Sequence, residues 1–507
     1  MHTFQALRDA WTGEPTATSA RFPAWPANGV AIEGDFSGIQ RFVSRPVPGA
    51  SGAGRRLRSR SFRVLALTRL IAAAAEKRFE DDGSRLYYAA GGRFLVRLNP
   101  CTGWQDRLVS LQRVLDTDLL DAYHGELAFH LAGAEFTDGR IPISALREEM
   151  RTRKQMPLGY ALRNGSGWAT GRFSFGATDH GRCDGCGCTA KLSRDSENLC
   201  QTCIDDRELG KRLLFAERIS LTRSPQGFVS LLGERWDISP DGPLTIPAVC
   251  YAPVENGELA TFEQIARKAP GRPYLAYLRI DADHIGQQFY ALAGDPLRTW
   301  GLSRLLDGAF STAVPNLIRA SYPSIYPVYT GGDDLFVIGP WNEILDFAAA
   351  WRSKFREISG DKLTFSAGVA LARPRQHILT KSEEAARALD ECAKIPRDSI
   401  HALGSTIAWS RFDEVLKCAR QLAELRAAGQ IRGALLHDII ELHGRWRKGD
   451  ARWHSLLFYQ VERNLGGDAK TFARRAFLSP GDLWEHADFV VRYAMLHSGE
   501  KEGVIDA

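Results

Sequence analysis

The sequence predicts an α+β protein in which two ferredoxin-like domains, each of order β-α-β-β-α-β, enclose a zinc-ribbon-bearing segment and precede an all-α C-terminal domain. Three observations predict this class. A strand, a Gly-Gly turn and a second strand occur twice, around Gly91-Gly92 and around Gly331-Gly332. Two Cys-x-x-Cys pairs lie between these hairpins, and helical periodicity dominates from about His401 to the C-terminus.

Length and composition limit the possible classes of protein. A chain of 507 residues is too long for one hydrophobic core, so we expect three or four domains. The composition, with 44% hydrophobic and 25% charged residues and a net charge of +5, is typical of a soluble globular protein. No apolar run is long enough to span a membrane, and the N-terminus does not resemble a signal peptide. The odd number of cysteines favours reduced thiols, so we expect a cytoplasmic protein with no membrane partner.

The motifs divide the chain into five parts. We predict a short lead-in (1–29), a first ferredoxin-like domain (30–155), a zinc-ribbon and helical linker domain (156–246), a second ferredoxin-like domain (247–410) and a C-terminal helical bundle (411–507).

A basic segment follows the first predicted strand. From Phe36 to Ala75 there is no acidic residue, and a helical pattern begins near Leu57. Arginine binds phosphate bidentately, and a helix N-terminus adds positive potential. We therefore predict that this segment binds nucleic acid or nucleotide phosphate through Arg55, Arg56, Arg58 and Arg60. The alternative is a solvated basic face.

The two Gly-Gly hairpins indicate an internal duplication. Each follows a similar motif that ends a strand, Gly34 to Ile39 in the first copy and Ile280 to Gly286 in the second, at similar spacing. The first hairpin has lost both acids that follow the glycines of the second. Chance similarity of short motifs is the alternative.

The cysteine pairs predict a structural zinc site. Cys183-x-x-Cys186 and Cys200-x-x-Cys203 have the spacing of a zinc ribbon, in which four thiolates close a tetrahedron around Zn²⁺. A closed site of this kind stabilises a fold and does not catalyse. The competing interpretation is a redox dithiol, and Cys188 could replace Cys186.

The second domain contains the candidate catalytic residues. A buried-type strand ends at Asp281, and the second hairpin places Asp333 and Asp334 at its tip. In the β-α-β-β-α-β order of polymerase palm domains the end of the first strand and the hairpin tip lie side by side. Three converging carboxylates repel one another unless cations intervene, which favours a site for two Mg²⁺ or Mn²⁺ ions and a nucleotide triphosphate. A solvated Asp-Asp turn without chemistry is the alternative.

These motifs together resemble the large palm-cyclase subunit of type III CRISPR effector complexes, the Csm/Cmr large subunit. The resemblance rests on Gly34-Asp-Phe-Ser-Gly-Ile-Gln40, Leu57-Arg-Ser-Arg-Ser-Phe62, the four cysteines and Gly331-Gly-Asp-Asp334, in that order, and covers most of the chain. It implies two palm domains and synthesis of cyclic oligoadenylates from ATP when target RNA pairs with the guide.

The resemblance also implies site residues and partners. Asp281, Asp333 and Asp334 match the metal-binding catalytic positions. Positions near ATP are matched by the residues Ser37, Gly38, Gly331, Gly332, Ser366 and Lys394. The implied partners are guide RNA, target RNA, guide-RNA-binding backbone and cap subunits, and small helical subunits that contact the C-terminal domain. Many members carry an N-terminal nuclease domain with a His-Asp pair. No His-Asp pair precedes the first predicted palm domain in this sequence, so we expect no DNase activity from this chain.

Two other functions stay open at this point. If the acids are retained without catalysing a reaction, the chain is a catalytically silent structural or nucleotide-sensing subunit of the same complex. A dinucleotide cyclase is the weaker alternative, because such enzymes pair two identical palms whereas this chain carries two unequal ones.

Overall fold

The computed structural model describes residues 4–14, 24–45, 52–123, 125–163, 180–192, 198–213, 219–246, 251–292, 294–479 and 483–499. It confirms the predicted fold class, with two ferredoxin-like palm domains, a four-cysteine segment between them and a helical C-terminal part. Within these ranges, no helix combines the length and the apolar character that crossing a membrane would require.

The first palm domain is built on a four-stranded antiparallel sheet of order β2-β3-β1-β4. Its elements, after an N-terminal helix α1 (Phe4–Thr12), are β1 (Gly29–Ser37), α2 (Ile39–Ser44), α3 (Ala53–Arg78), β2 (Arg85–Ala90), β3 (Arg93–Leu98), α4 (Trp104–Tyr123), β4 (Ala128–Phe136), α5 (Ile143–Lys154) and α6 (Gly159–Arg163). Helix α3 forms because its sequence is free of proline and repeats apolar residues at helical spacing, and that apolar stripe is buried against the sheet.

The segment between the palm domains consists of short strands and one longer helix. It contains β5 (His180–Arg182), β6 (Thr189–Lys191), α7 (Gln201–Arg212), β7 (Ile219–Arg223), β8 (Val229–Leu231), β9 (Glu234–Ser239), β10 (Leu244–Ile246), β11 (Val254–Glu255) and β12 (Glu258–Leu259). Strands β7 to β10 form a separate sheet of order β10-β7-β9-β8. Helix α7 packs on α3, so this segment is docked onto the first palm domain.

The second palm domain is built on a six-stranded sheet of order β14-β15-β13-β16-β17-β18. Its elements are α8 (Phe262–Ala266), β13 (Leu275–Ala282), α9 (Ile285–Ala291), α10 (Pro296–Gly308), α11 (Val314–Ser321), β14 (Tyr326–Gly331), β15 (Asp334–Pro340), α12 (Trp341–Ser359), β16 (Phe365–Ala372), α13 (Ile378–Arg387), β17 (Ser399–Ala402) and β18 (Ser405–Ala408), with π-helical turns at Ala309–Ala313 and Ala388–Ala393. Strand β13 is buried along nearly its whole length, as expected for a central strand covered on both faces.

The C-terminal part is helical and begins after a strand pair that the sequence pattern did not predict. The helices are α14 (Trp409–Ala427), α15 (Gly433–Arg447), α16 (Trp453–Asn464), α17 (Gly467–Phe477) and α18 (Ala487–Ser498). Strand β17 pairs in parallel with β16 and returns as β18. The prediction of helix from about His401 is therefore wrong for the first residues, which extend the palm sheet.

The two palm domains share details beyond strand order. Both hairpins carry an irregularity at the same place, between Leu86 and Tyr88 in the first and between Pro327 and Tyr329 in the second. Such a shared bulge is a specific structural feature. The loop after each central strand also adopts a left-handed conformation, at Gly38 with φ +87° and at His284 with φ +59°. These matched irregularities support the predicted duplication.

The ladders correct one detail of that duplication. Asp35 lies opposite Arg93 in the first sheet, and Asp281 lies opposite Asp334 in the second. The position of Arg93 therefore corresponds to that of Asp334, and Gly91 corresponds to Gly332. Aligning the two Gly-Gly runs residue by residue from the sequence would pair Gly91 with Gly331 and is off by one residue, because a Gly-Gly run looks alike in either frame and only the partner strand sets the register.

Candidate active site

The tips of the two Gly-Gly hairpins meet. A Cβ atom added to Gly91 would lie 2.8 Å from the Cα atom of Gly332, and both glycines have positive φ, +59° and +66°. Glycine is needed here for the turn conformation and for the close approach of two backbones. The contact between the hairpins brings one end of the first palm sheet against the acidic tip of the second.

The structure brings together the three carboxylates that were predicted to be catalytic. Asp281 and Asp334 are direct cross-strand partners on β13 and β15, so their side chains leave the same face of the sheet. Asp333 occupies the turn, and its carbonyl oxygen accepts a 2.9 Å hydrogen bond from the Ala282 amide. Residues distant in sequence thus form one acidic group at the edge of the sheet.

Burial and mutual repulsion make these acids hard to ionise. Desolvation, together with the charge of Asp333, raises the pKa of Asp334 to about 8. Desolvation also raises the pKa of Asp281 to about 6, although Lys394 opposes this shift. Burial raises the pKa of Asp333, and the positive charge of the Arg93 guanidinium is the largest influence that lowers this pKa again. Three carboxylates with raised pKa values form a site that added cations would stabilise.

Two side chains contact these carboxylates directly. Lys394 Nζ lies 3.0 Å from Asp281 Oδ2 and 3.0 Å from Asp390 Oδ1, which places Lys394 beside the acids, whereas its position near ATP stays a prediction. Gln40 of the first palm domain donates a 3.4 Å hydrogen bond from Nε2 to Asp334 Oδ2. The acidic group is therefore contacted from both palm domains.

The donor chemistry of the acidic group suits a hard divalent cation. Carboxylate oxygens are the ligands that Mg²⁺ and Mn²⁺ prefer. Among the described residues, the group of side chains whose metal-ligand atoms all lie within 4.8 Å of one another is the four-cysteine group, and the three carboxylates are not part of it.

The four predicted zinc ligands do come together. The sulfur atoms of Cys183, Cys186, Cys200 and Cys203 all lie within 4.8 Å of one another and are buried. The Cys183 sulfur accepts hydrogen bonds from the backbone amides of Gly185 and Cys200, at 3.3 and 3.2 Å. Cys188 is not in the group and donates its S–H towards Glu126. This geometry fits a tetrahedral metal site that joins the two Cys-x-x-Cys loops.

Of the predicted nucleotide contacts, Ser366 is the one that the structure contradicts. Ser366 is fully buried, and its Oγ donates a 2.8 Å hydrogen bond to Asp283 Oδ1, so the structure does not present it to a nucleotide. Ser37 Oγ lies 3.1 Å from His130 Nε2 at the end of β1. Gly38 caps α2 from an exposed position. Of the six residues predicted to lie near ATP, Gly331, Gly332 and Lys394 lie closest to the carboxylates.

The arginines predicted to bind nucleic acid or phosphate are mostly buried. Arg56, Arg58 and Arg60 are 0%, 7% and 2% exposed on α3. Arg60 forms a 2.9 Å ion pair with Asp206 of α7, and Arg58 donates to two backbone carbonyl oxygens. Arg55 is partly exposed and forms a surface ion pair. The predicted phosphate surface is thus wrong for the three buried side chains, because acids from elsewhere in the chain balance this acid-free segment.

The sequence singled out the acids of the adjoining cleft but not its other side chains. An open cleft of about 600 Å³ is lined by Asp281 and Asp333 and also by Arg147, His284 and Tyr290. Tyr290 is 64% exposed, which is unusual for a large aromatic ring. One signal was available for His284, since it replaces the glycine that the first copy uses at the same left-handed position. The cleft is large enough for a nucleotide and has walls from both palm domains.

Comparisons with known proteins agree with this arrangement. Two family models match, the second palm domain of Cas10/Cmr2 over residues 274–401 and domain B of the Csm1 subunit over residues 30–155. The chain is 24% identical over 511 residues to the CRISPR system single-strand-specific deoxyribonuclease Cas10/Csm1 (subtype III-A) of Thermococcus onnurineus (strain NA1). That match covers 85% of this chain and 64% of the relative, so the chain spans less than two thirds of its length.

Two solved structures share the fold. A Csm1–Csm4 cassette in complex with cA3 aligns with a TM-score of 0.69 at 18% identity, covering 97% of this chain and 72% of that one. A Csm1–Csm4 cassette in complex with one ATP aligns with a TM-score of 0.68 at 17% identity, covering 93% and 70%.

Proposed function

The chain belongs to the Cas10/Csm1 family, and from this premise we propose that it is the large subunit of a type III CRISPR effector complex that polymerises ATP into cyclic oligoadenylates. The observation that carries the proposal is the convergence of Asp281, Asp333 and Asp334 at a cleft that both palm domains line. The names of the matched structures, which contain ATP or cA3, support this choice of substrate and product.

The proposed reaction is a nucleotidyl transfer repeated along a growing chain. The 3′-hydroxyl oxygen of one nucleotide attacks the α-phosphorus of another, a new P–O bond forms, and the bond to the leaving pyrophosphate breaks. The hydroxyl proton leaves as the new bond forms. In the last step the 3′-hydroxyl of the same chain attacks its own 5′ α-phosphorus, again releasing pyrophosphate. This reaction requires two nucleotides in one cleft and neutralisation of their triphosphates.

The carboxylates of the second palm domain are the proposed ligands for the catalytic cations. Divalent cations bound there would lower the pKa of the attacking hydroxyl and neutralise the triphosphate. Asp281, Asp333 and Asp334 supply hard oxygen donors, and their raised pKa values mean that a bound cation would ease their ionisation. Lys394, which pairs with Asp281, is the proposed residue that attracts the negative charge of the nucleotide phosphates beside that carboxylate. We propose Zn²⁺, in a structural role, for the four-cysteine site.

The two palm domains have unequal roles in this proposal. The second palm domain holds the reacting phosphate, because it carries the acids. The first palm domain supplies the other wall of the cleft through Arg147 and reaches the acids through Gln40. The inequality argues against a dinucleotide cyclase, which would combine two identical palms.

The proposed partners are guide RNA, target RNA and the other subunits of the effector complex. These are guide-RNA-binding backbone and cap subunits and small helical subunits, with the C-terminal helices as the contact to the latter. We propose a cytoplasmic location because the odd number of cysteines favours reduced thiols. The DNase activity in the name of the matched relative is not part of the proposal.

The proposal is tested by identifying the products of the assembled complex. Complex reconstituted with guide RNA, target RNA, labelled ATP and Mg²⁺ should yield cyclic oligoadenylates by mass spectrometry, and none without target RNA. Asp333→Ala combined with Asp334→Ala should abolish them while leaving assembly intact. An unchanged yield in the double variant would refute the assignment. ATP binding by the wild-type complex without any product would favour the silent nucleotide-sensing subunit.

A further inference from the structure

A strained backbone segment follows Lys394 in the second palm domain. Arg397 and Asp398 have φ values of +60° and +44°, in the left-handed region that residues other than glycine rarely adopt. Among the described residues, this is the one place where two neighbouring non-glycine residues both do so. Such conformations persist only where the surrounding structure holds them, and they cluster at functional sites. The segment therefore depends on a part of the fold that holds it in place.

The strained segment borders the catalytic cleft. Arg397 lines the cleft together with Asp281 and Asp333. Its backbone amide donates a 3.0 Å hydrogen bond to the carbonyl oxygen of Ala393, at the end of the π-helical turn that precedes Lys394. The backbone of residues 397 and 398 thus determines where a guanidinium group lies relative to the acids. A guanidinium in this cleft can pair with phosphate oxygens.

The buried carboxylate of Asp283 holds this segment. Asp283 is 3% exposed, and its Oδ2 accepts a 3.1 Å hydrogen bond from the backbone amide of Asp398. The hydroxyl groups of Thr364 and Ser366, where β16 begins, donate to the same carboxylate at 2.8 Å each. On its other side, Asp398 forms a 2.8 Å ion pair with Arg352 of α12. The Asp398 backbone is therefore tied to a carboxylate that is itself fixed against the sheet.

The first palm domain has a simpler contact at the equivalent place. Asp35 corresponds to Asp281 in the two ladders, so Ser37 corresponds to Asp283. Ser37 Oγ lies 3.1 Å from Nε2 of His130 on the neighbouring strand β4. Among the described strands, β4 is the edge of its sheet and has no neighbour that corresponds to β17. A serine is therefore enough to join the two strands, and the carboxylate of the second palm domain is explained by the additional segment that it holds.

We propose that Asp283 is a positioning residue of the catalytic cleft, which holds the strained Arg397–Asp398 segment so that the Arg397 guanidinium stays in the cleft. This inference rests on the proposed function, since the guanidinium acts on the phosphates of a nucleotide bound there. Asp283 does not reach the nucleotide itself, because its carboxylate is buried and accepts three hydrogen bonds from the protein. It acts through Arg397: without the bond to the Asp398 amide, the segment relaxes out of the left-handed conformation and the guanidinium moves.

The test is a double-mutant cycle on kcat/KM for cyclic oligoadenylate formation by the assembled complex with guide RNA, target RNA, ATP and Mg²⁺. Asp283→Ser introduces the shorter residue of the first palm domain, which cannot reach the Asp398 amide, and should lower kcat/KM by about tenfold or more. Asp283→Asn still offers an oxygen to that amide and should stay within a few-fold of the wild type. Because Asp283 acts through Arg397, Asp283→Ser should have no further effect in the Arg397→Ala background.

The matched control is Asp361→Ser, since Asp361 is also a left-handed aspartate, with φ +59°, but its exposed side chain pairs with Arg356 outside the cleft. It should keep the wild-type kcat/KM. Thermal unfolding establishes that Asp283→Ser is folded. If it is not, Arg352→Gln replaces it in the cycle, because this substitution releases the carboxylate of Asp398 on the other side of the segment. The inference is overturned if the variant used keeps the wild-type kcat/KM, or if its loss multiplies with that of Arg397→Ala as independent losses do.

Hydrogen exchange of the purified full-length chain separates this inference from the proposed function. In Asp283→Ser the Asp398 amide should exchange about tenfold faster or more, while the β13 amides keep their protection. A complex that yields no cyclic product refutes the proposed function, and exchange then decides whether Asp283 holds the segment. Faster exchange confined to residues 397 and 398 supports that role, and unchanged exchange of the Asp398 amide overturns it.

Discussion

Asp206 gives the most direct test of how the four-cysteine segment is attached to the first palm domain. Its side chain is fully buried on α7 and forms ion pairs with Arg60 at 2.9 Å and Arg63 at 2.7 Å. Ser59 Oγ donates a third bond at 2.8 Å. Asp206→Asn keeps the shape but removes the charge, and an amide nitrogen would then face two guanidinium groups. Removing one partner of a buried ion pair costs about 3–5 kcal/mol.

The expected loss can be measured locally. A multidomain chain does not unfold in one step, so hydrogen exchange of the α3 and α7 amides is the suitable assay. A loss of about 3–5 kcal/mol lowers their protection by about 10²- to 10⁴-fold if this pairing governs their opening. Glu258→Gln is the control, since its exposed ion pair with Arg55 contributes less than about 1 kcal/mol. Unchanged protection of α7 in Asp206→Asn would refute the reasoning.

Three further outcomes are expected. Gly91→Ala should lower cyclic product formation several-fold, because its Cβ would lie 2.8 Å from Gly332 Cα. The control Gly103→Ala has a similar φ of +67° but open surroundings, so it should keep the wild-type rate. Equal rates in both variants would contradict the hairpin contact. Burial lowers the pKa of His130 to about 4, so the neutral imidazole destabilises nothing above pH 6.5, and stability is lost as the pH falls towards 4 because the unfolded chain binds the proton more readily. We expect the hydrogen-exchange protection of the β4 amides in the wild type, relative to His130→Asn, to fall by up to about 10²-fold across that window, and a ratio independent of pH would contradict this. Elemental analysis should find one zinc per chain in the wild type and none in Cys203→Ser, whose four-cysteine segment should unfold at a lower temperature, whereas equal zinc contents would exclude the four-cysteine site.

Much of the fold and the acidic group could be predicted because their signals are local. A Gly-Gly-Asp-Asp turn between two apolar runs specifies a hairpin by itself. Once a β-α-β-β-α-β order is recognised, topology places Asp281 beside the hairpin tip without further information. The cysteine spacing likewise specifies a metal site through the geometry of each knuckle.

The parts that were wrong depend on contacts across the chain. The arginines of α3 looked like a phosphate surface because their partners are distant in sequence; Asp206, the partner of Arg60, lies 146 residues beyond it. Ser366 was predicted to lie near ATP, but its hydroxyl donates a hydrogen bond to the buried Asp283 carboxylate. The pair β17 and β18 has only short strands, and its formation follows from parallel pairing with β16. Local periodicity carries no information on such partners.

The central claim is that carboxylates distant in sequence form one catalytic group, and Asp281→Asn tests it most directly. The measurement is the initial rate of cyclic oligoadenylate formation by the assembled complex with target RNA and Mg²⁺. Asp390→Asn is the control, since Asp390 contacts Lys394 but is 60% exposed and outside the acidic group. We expect Asp281→Asn to lower the rate by about 10²-fold or more and Asp390→Asn to change it only a few-fold. A wild-type rate in Asp281→Asn would contradict the claim.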